Sequence, residues 1–128
     1  EGENTIEAGA NAVEAPFIFK HGDYYYLFVS FDYCCRGEKS TYKTVYGRSK
    51  NIEGPYLDKA GKPMEHGGGT FLYGPNKEYF GVGHNSAYHF DGKPYFVSHA
   101  YVKAEEGRAK LFIRPMEFDS EGWIVVKE

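Results

Sequence analysis

Glu14 stands two residues before Pro16, directly ahead of the aromatic run "PFIFKHGDYYYLFVSF". Proline fixes the local backbone, so a carboxyl beside it can be held in one place, as general acid catalysis requires. Cleaving a glycosidic bond needs two such groups, one an acid and one a base or nucleophile. A solvated loop glutamate would carry the same local sequence. His84 lies in "GVGHNS", between small residues just before a strand-like run. Glycines there let another group approach the backbone closely. The imidazole then suits a metal or a substrate hydroxyl, or simply a hydrogen bond within a loop. His21, His66, His89 and His99 show no metal-ligand spacing with it.

Asp32 and Arg36 share the segment "FDYCCRG". An arginine fork recognises carboxylates and hydroxyls, and the same pair reads as a salt bridge bracing a long loop. Cys34 and Cys35 are adjacent, and disulfide geometry disfavours a bridge between neighbours; with no C-x-x-C, they read as unbridged thiols near the loop. Gly67–Gly69 is not followed by the lysine of a phosphate-binding loop, so it reads as a flexible stop. Trp123, in "EGWIVV", reads as a packing residue of the last strand.

Strands must position these groups. Phe17–Lys20 and Tyr24–Phe31 form a hairpin about His21-Gly22-Asp23, a short turn between β-rich runs. Lys43–Ser49 is a third strand, "YLDKAGKPM" an edge segment turning at Ala60-Gly61, and "TFLY" a short strand. The pattern then recurs: Ser86–Phe90 and Pro94–His99 flank Asp91-Gly92, followed by Ala109–Asp119 and "EGWIVV". "YLFVSFDY" from Tyr26 matches "PYFVSHAY" from Pro94, 68 residues downstream. No apolar 3.6-residue period is sustained, so no helix is expected. The fold class is all-β. Two repeats of four antiparallel strands suggest propeller blades, roughly 13–75 and 80–127; a β-sandwich is the rival. Two blades alone leave apolar faces to be covered by further sequence, a second chain or self-association.

Composition agrees with short strands and tight turns: of 128 residues, 18% are aromatic and sixteen are Gly. Tyrosine and tryptophan also suit sugars, which share their mix of apolar face and polar tip. A net charge of −3 gives no basic footprint for nucleic acid. No apolar run reaches membrane-spanning length, so no membrane partner is expected. "EGENTIEAGA" has neither a basic region nor an apolar one, so it does not read as a signal peptide, and without an initial Met the chain reads as a piece of something longer.

In order and spacing, "VEAPFIFKHGDYYYLFVSFDYCCRG", "YGRSKNIEGPY", "GKPM", "GGGT", "GHNS" and "IRPMEFDSEGW" together resemble the C-terminal part of glycoside hydrolase family 43, and within it the endo-α-1,5-L-arabinanases. The resemblance runs from about Asn11 to Val126. It implies a five-bladed β-propeller that inverts the anomeric centre with three carboxylates: an aspartate base, an orienting aspartate and a glutamate acid. The family's E-A-P motif falls on Glu14-Ala15-Pro16, making Glu14 the expected proton donor. Its G-H-N-S histidine falls on His84, near a hydrated calcium or similar ion. The "FDYCCRG" loop resembles one bordering the substrate cleft, so Phe31, Cys34 and Arg36 are expected to contact arabinan or arabino-oligosaccharide. Secretion or a periplasmic location is implied with it.

One departure matters. Both family aspartates lie upstream of the E-A-P glutamate, yet only thirteen residues precede Glu14 and none is Asp; Glu7 matches no base motif. The expectation is therefore the last two blades of a propeller, inactive without the N-terminal blades in cis or as a second chain. The rivals are a self-associating carbohydrate-binding module, and an arabinofuranosidase or β-xylosidase of the same family.

Overall fold

The computed structural model describes residues 13–31 and 43–128. Eight strands form two four-stranded antiparallel sheets, each in sequential order. The first holds β1 (Val13–His21), β2 (Tyr24–Phe31), β3 (Lys43–Ser49) and β4 (Thr70–Tyr73). The second holds β5 (Tyr79–Phe90), β6 (Lys93–Val102), β7 (Arg108–Phe118) and β8 (Ile124–Val126). Each sheet is a simple meander. The long crossover of a Greek-key sandwich is absent among the described residues, so the architecture is that of blades.

The hairpins form where turn chemistry permits. Gly22-Asp23 joins β1 to β2, with Gly22 at φ 61°, and Asp91-Gly92 joins β5 to β6, at φ 53° and 79°. Left-handed residues at these places match the natural twist of a hairpin. The strands run longer than the apolar runs suggest. β1 begins at Val13 rather than Phe17 because a bulge carries the pairing past Ala15 and Pro16.

Alternation along β2 fills both faces of the first sheet. Tyr26 and Phe28 face the second sheet; Val29 and Phe31 face the other way, against Val45. The main core lies between the sheets. There Tyr26, Phe28, Tyr46 and Tyr73 meet Val82, Phe96, Phe112 and Met116. Each such side chain contributes about 1.5–3 kcal/mol by leaving water.

Polar groups lock the same interface. Tyr46 Oη accepts the Ile124 N–H at 2.8 Å, and Tyr26 Oη donates to the Gly122 carbonyl at 2.6 Å. The Arg48 guanidinium lies 4.0 Å from the Tyr24 ring centre and 3.7 Å from that of Trp123. Trp123 thus packs, as expected, but just ahead of β8 rather than within it. The outer face of the second sheet is uncovered: Leu111 is 73% exposed, with Ile113 and Phe90 also open. This is the apolar flank that two repeats alone must leave.

Gly67–Gly69 is not a loose stop. The Gly68 N–H donates to the Pro63 carbonyl and the Gly69 N–H to Asp58 Oδ2, each at 2.9 Å. Among the described residues no helix is long and apolar enough to cross a membrane.

Candidate active site

Glu14 lies inside β1, paired in register with Ser30 of β2. It is not at the mouth of the strand, where the Ala15-Pro16 turn suggested it would be. The register breaks between Glu14 and Phe17, and Ala15 takes a left-handed φ of 56°. Bulges of this kind re-aim a side chain; here the Glu14 side chain is exposed.

His84 occupies the same kind of irregularity on β5. The β5–β6 register breaks on both sides of Gly83, and His84 has φ 51°. Its side chain is exposed. A non-glycine residue in this conformation carries a cost of order 1 kcal/mol. The surroundings hold it there: the His84 N–H donates to Ser30 Oγ at 2.7 Å. Ser30 itself is fully buried. One hydroxyl therefore ties the His84 backbone to the β2 residue that pairs with Glu14, and the two candidate residues come to the same end of adjacent sheets.

Two neighbours complete the cluster. His99 of β6 pairs opposite Gly83 and is half-buried. Burial pushes its pKa below the usual histidine value, the nearby His84 adds to this, and a backbone hydrogen bond with Gly81 opposes it. The imidazole is then neutral at pH 7. Asn85, next to His84, is 3% exposed. Its Oδ1 has no hydrogen-bond partner among the described residues.

Of the other expected site residues, Phe31 alone is among the described ones. Phe31 is 4% exposed and packs with Val29 and Val45. Asp32, Cys34, Cys35 and Arg36 lie outside the described residues. Residue-by-residue reading passed over Ser30 and set His99 aside for want of metal-ligand spacing, although both left a signal. Ser30 is a hydroxyl inside an apolar strand run, and a buried hydroxyl needs a partner. His99 stands where the first repeat has Phe31, a polar group replacing an apolar one at an equivalent place.

No group of three or more His, Cys, Asp or Glu side chains able to hold a metal occurs among the described residues. His84 and Asn85 are the nearest donors for an ion at this end. With the His99 imidazole these remain few donors among the described residues, a set suited to an ion that keeps most of its water.

Known proteins resemble this chain over nearly all of it. The sequence profile of the glycosyl hydrolases family 43 matches residues 2–124. An extracellular exo-α-(1→5)-L-arabinofuranosidase of Cellvibrio japonicus is 53% identical over 122 residues, covering 95% of this chain and 35% of that protein. An extracellular endo-α-(1→5)-L-arabinanase of Bacillus subtilis is 47% identical over 112 residues, covering 88% of this chain and 33% of that protein. Among solved structures, a Cellvibrio cellulosa α-L-arabinanase complexed with arabinohexaose superposes with a TM-score of 0.89 at 53% identity, covering 94% of this chain and 38% of that one. The chain thus spans about a third of the length of the curated relatives it matches.

Proposed function

The chain belongs to glycosyl hydrolase family 43, and from that premise we propose that it is the general-acid portion of an inverting hydrolase of α-1,5-linked arabinan. One observation carries the reading: Ser30 joins Glu14, by strand pairing, to His84, by a 2.7 Å hydrogen bond. Glu14 donates its proton to the departing sugar oxygen. A base on the opposite face of the sugar activates the water, and the two carboxyls of an inverting pair stand about 6.5–9.5 Å apart. The chain spans about a third of the length of its relatives, and in this reading the base belongs to the remainder of a propeller of which these sheets are the last two blades.

Asn85 Oδ1 is the group that would reach a hydrated calcium ion directly, oxygen being the donor calcium takes, and the His84 imidazole would hold it through its water. Such an ion would supply fixed positive charge and ordered water. Arabinan or an arabino-oligosaccharide is the substrate proposed; the arabinohexaose bound to the Cellvibrio cellulosa enzyme supports it. Phe31, Cys34 and Arg36 border the cleft in this reading, Phe31 as a buried support. The extracellular relatives support a secreted protein. A second reading, exo-acting release of single arabinose units, is favoured by the likeness to the Cellvibrio japonicus arabinofuranosidase.

The test is complementation. The 128-residue chain alone should leave arabinan intact, and supplying the upstream blades in cis or as a second polypeptide should restore cleavage. In the completed propeller, Glu14→Gln should lower turnover by about 10²–10⁴-fold. Efficient arabinan cleavage by the isolated chain, or a fully active Glu14→Gln propeller, would refute the assignment. The product pattern, mixed oligosaccharides or arabinose alone, separates endo from exo action.

A further inference from the structure

A second cavity, of about 500 Å³, opens at the other end of the first sheet. Tyr24, Arg48, Lys50, Leu57, Lys59 and Trp123 contribute to its wall. It is remote from the candidate active site: Tyr24 and Ser30 are six residues apart on β2, about 20 Å along an extended strand. Its volume falls within the usual range for small-molecule sites, about 300–1,000 Å³.

Cations outnumber carboxylates on its wall: Arg48, Lys50 and Lys59 stand against Asp58. Arg48, Lys50 and Lys59 form no ion pair with a carboxylate among the described residues. Asp58 also lines the cavity and keeps its negative charge, but its oxygens are turned to the backbone: Oδ1 accepts the Ala60 and Lys62 N–H groups and Oδ2 the Gly69 N–H. Asp119, close enough to Lys59 to feel its charge, has Oδ1 occupied by the Glu121 and Trp123 N–H groups. Arg48 is held flat between Tyr24 and Trp123, with Nη1 on the Glu121 carbonyl. A guanidinium carries five N–H donors in a fork that matches a carboxylate. Here it is pre-oriented, so little side-chain entropy remains to be lost on binding. Lys50 Nζ lies 5.7 Å from the Tyr24 ring centre, on the same wall.

Positive charge alone would suit any small anion. This cavity adds an apolar side, formed by Tyr24, Pro55 and Leu57, which suits the C–H face of a sugar ring. We propose that this cavity is a second carbohydrate site, selective for an oligosaccharide that carries carboxylates, of the uronate type. Arg48 and the two lysines take the carboxylate, and the apolar side takes the ring. The site lies at the end of the first sheet, closed on one side by Trp123, and does not depend on the chemistry assigned to Glu14. It would hold an acidic polysaccharide against the protein while a neutral one is processed elsewhere.

Trp123 is the chain's only tryptophan and lines this cavity, so its intrinsic fluorescence reports on occupation. Trigalacturonate, a neutral trisaccharide of the same length and inorganic phosphate should each be titrated against the 128-residue chain and against a Lys50→Ala/Lys59→Ala variant. Both lysines are exposed, and an unchanged melting temperature verifies that the variant folds. The expected result is saturable binding of trigalacturonate that weakens with salt and falls by about tenfold or more in the variant, with far weaker binding of the other two probes. Absence of trigalacturonate binding, or binding unchanged by the variant, overturns the proposal. Equal affinity for the neutral trisaccharide overturns the charge selection, and equal affinity for phosphate overturns the sugar site in favour of a bare anion site.

Discussion

The backbone N–H of His84 donates to Ser30 Oγ at 2.7 Å across 54 residues of sequence. His84 is left-handed there, at φ 51°, so this bond holds a conformation the residue would not otherwise prefer.

Ser30→Ala removes the acceptor and strands the His84 N–H. The expected loss is about 1–3 kcal/mol, read as a lower midpoint in urea denaturation. His84→Gly should move stability the other way by up to about 1 kcal/mol, because glycine adopts the left-handed region without penalty. In a completed propeller, Ser30→Ala should also lower activity, as His84 shifts relative to Glu14.

Tyr46 couples the sheets and sets an alkaline limit. Its ring is buried and its hydroxyl accepts the Ile124 N–H; burial pushes its pKa up to about 12. The unfolded chain releases this proton near pH 10 while the folded chain keeps it. Folded stability is therefore intact below pH 10 and declines as pH rises from 10 towards 12, by about 1.4 kcal/mol per unit. Tyr46→Phe should lessen that decline without abolishing it, since Tyr73 is also pushed up to about 12, and cost about 1–3 kcal/mol at pH 7, since the Ile124 N–H loses its partner. Denaturation midpoints from pH 7 to 11 measure both.

At the turn end, His21 Nδ1 and His89 Nε2 are 3.0 Å apart, and the His21 ring stacks on Phe118 at 3.9 Å. Burial, then the charge of His89, lowers the His21 pKa below 6.5. The unfolded chain thus takes up a proton first as pH falls. Stability is full above pH 6.5 and is lost as pH drops through the lower folded value. His21→Phe keeps the stack and removes the titration, so its melting temperature should vary less between pH 7 and 5 than that of the unmodified chain.

Gly68 is pressed against backbone. A Cβ added there would run into the carbonyl oxygens of Lys62 and Pro63. Gly68→Ala should destabilise by about 2 kcal/mol or more, and the loss should also appear as weaker amide protection at Lys62 and Gly69, whose N–H groups both bond Asp58.

Strand positions were legible because alternation and turn chemistry are local: "YYYLFVSF" and "KTVYGRS" coincide with β2 and β3, and Asp91-Gly92 turns where expected. Glu14 and His84 were legible as individual residues, through E-A-P and G-H-N-S. The start of β1 was not, because a bulge at Ala15 hides the strand period that continues on both sides of it.

By itself, then, the sequence determined an all-β chain with two repeats and a family, since each of these rests on order and spacing along the chain. Only the tertiary structure decided that Ser30 links Glu14 to His84, that Phe31 is buried, and that Arg48 is clasped between Tyr24 and Trp123. Those contacts join residues on different strands or sheets. Hydrogen bonds and ring contacts act over a few ångströms of space, and no spacing along the chain encodes which distant residues will meet.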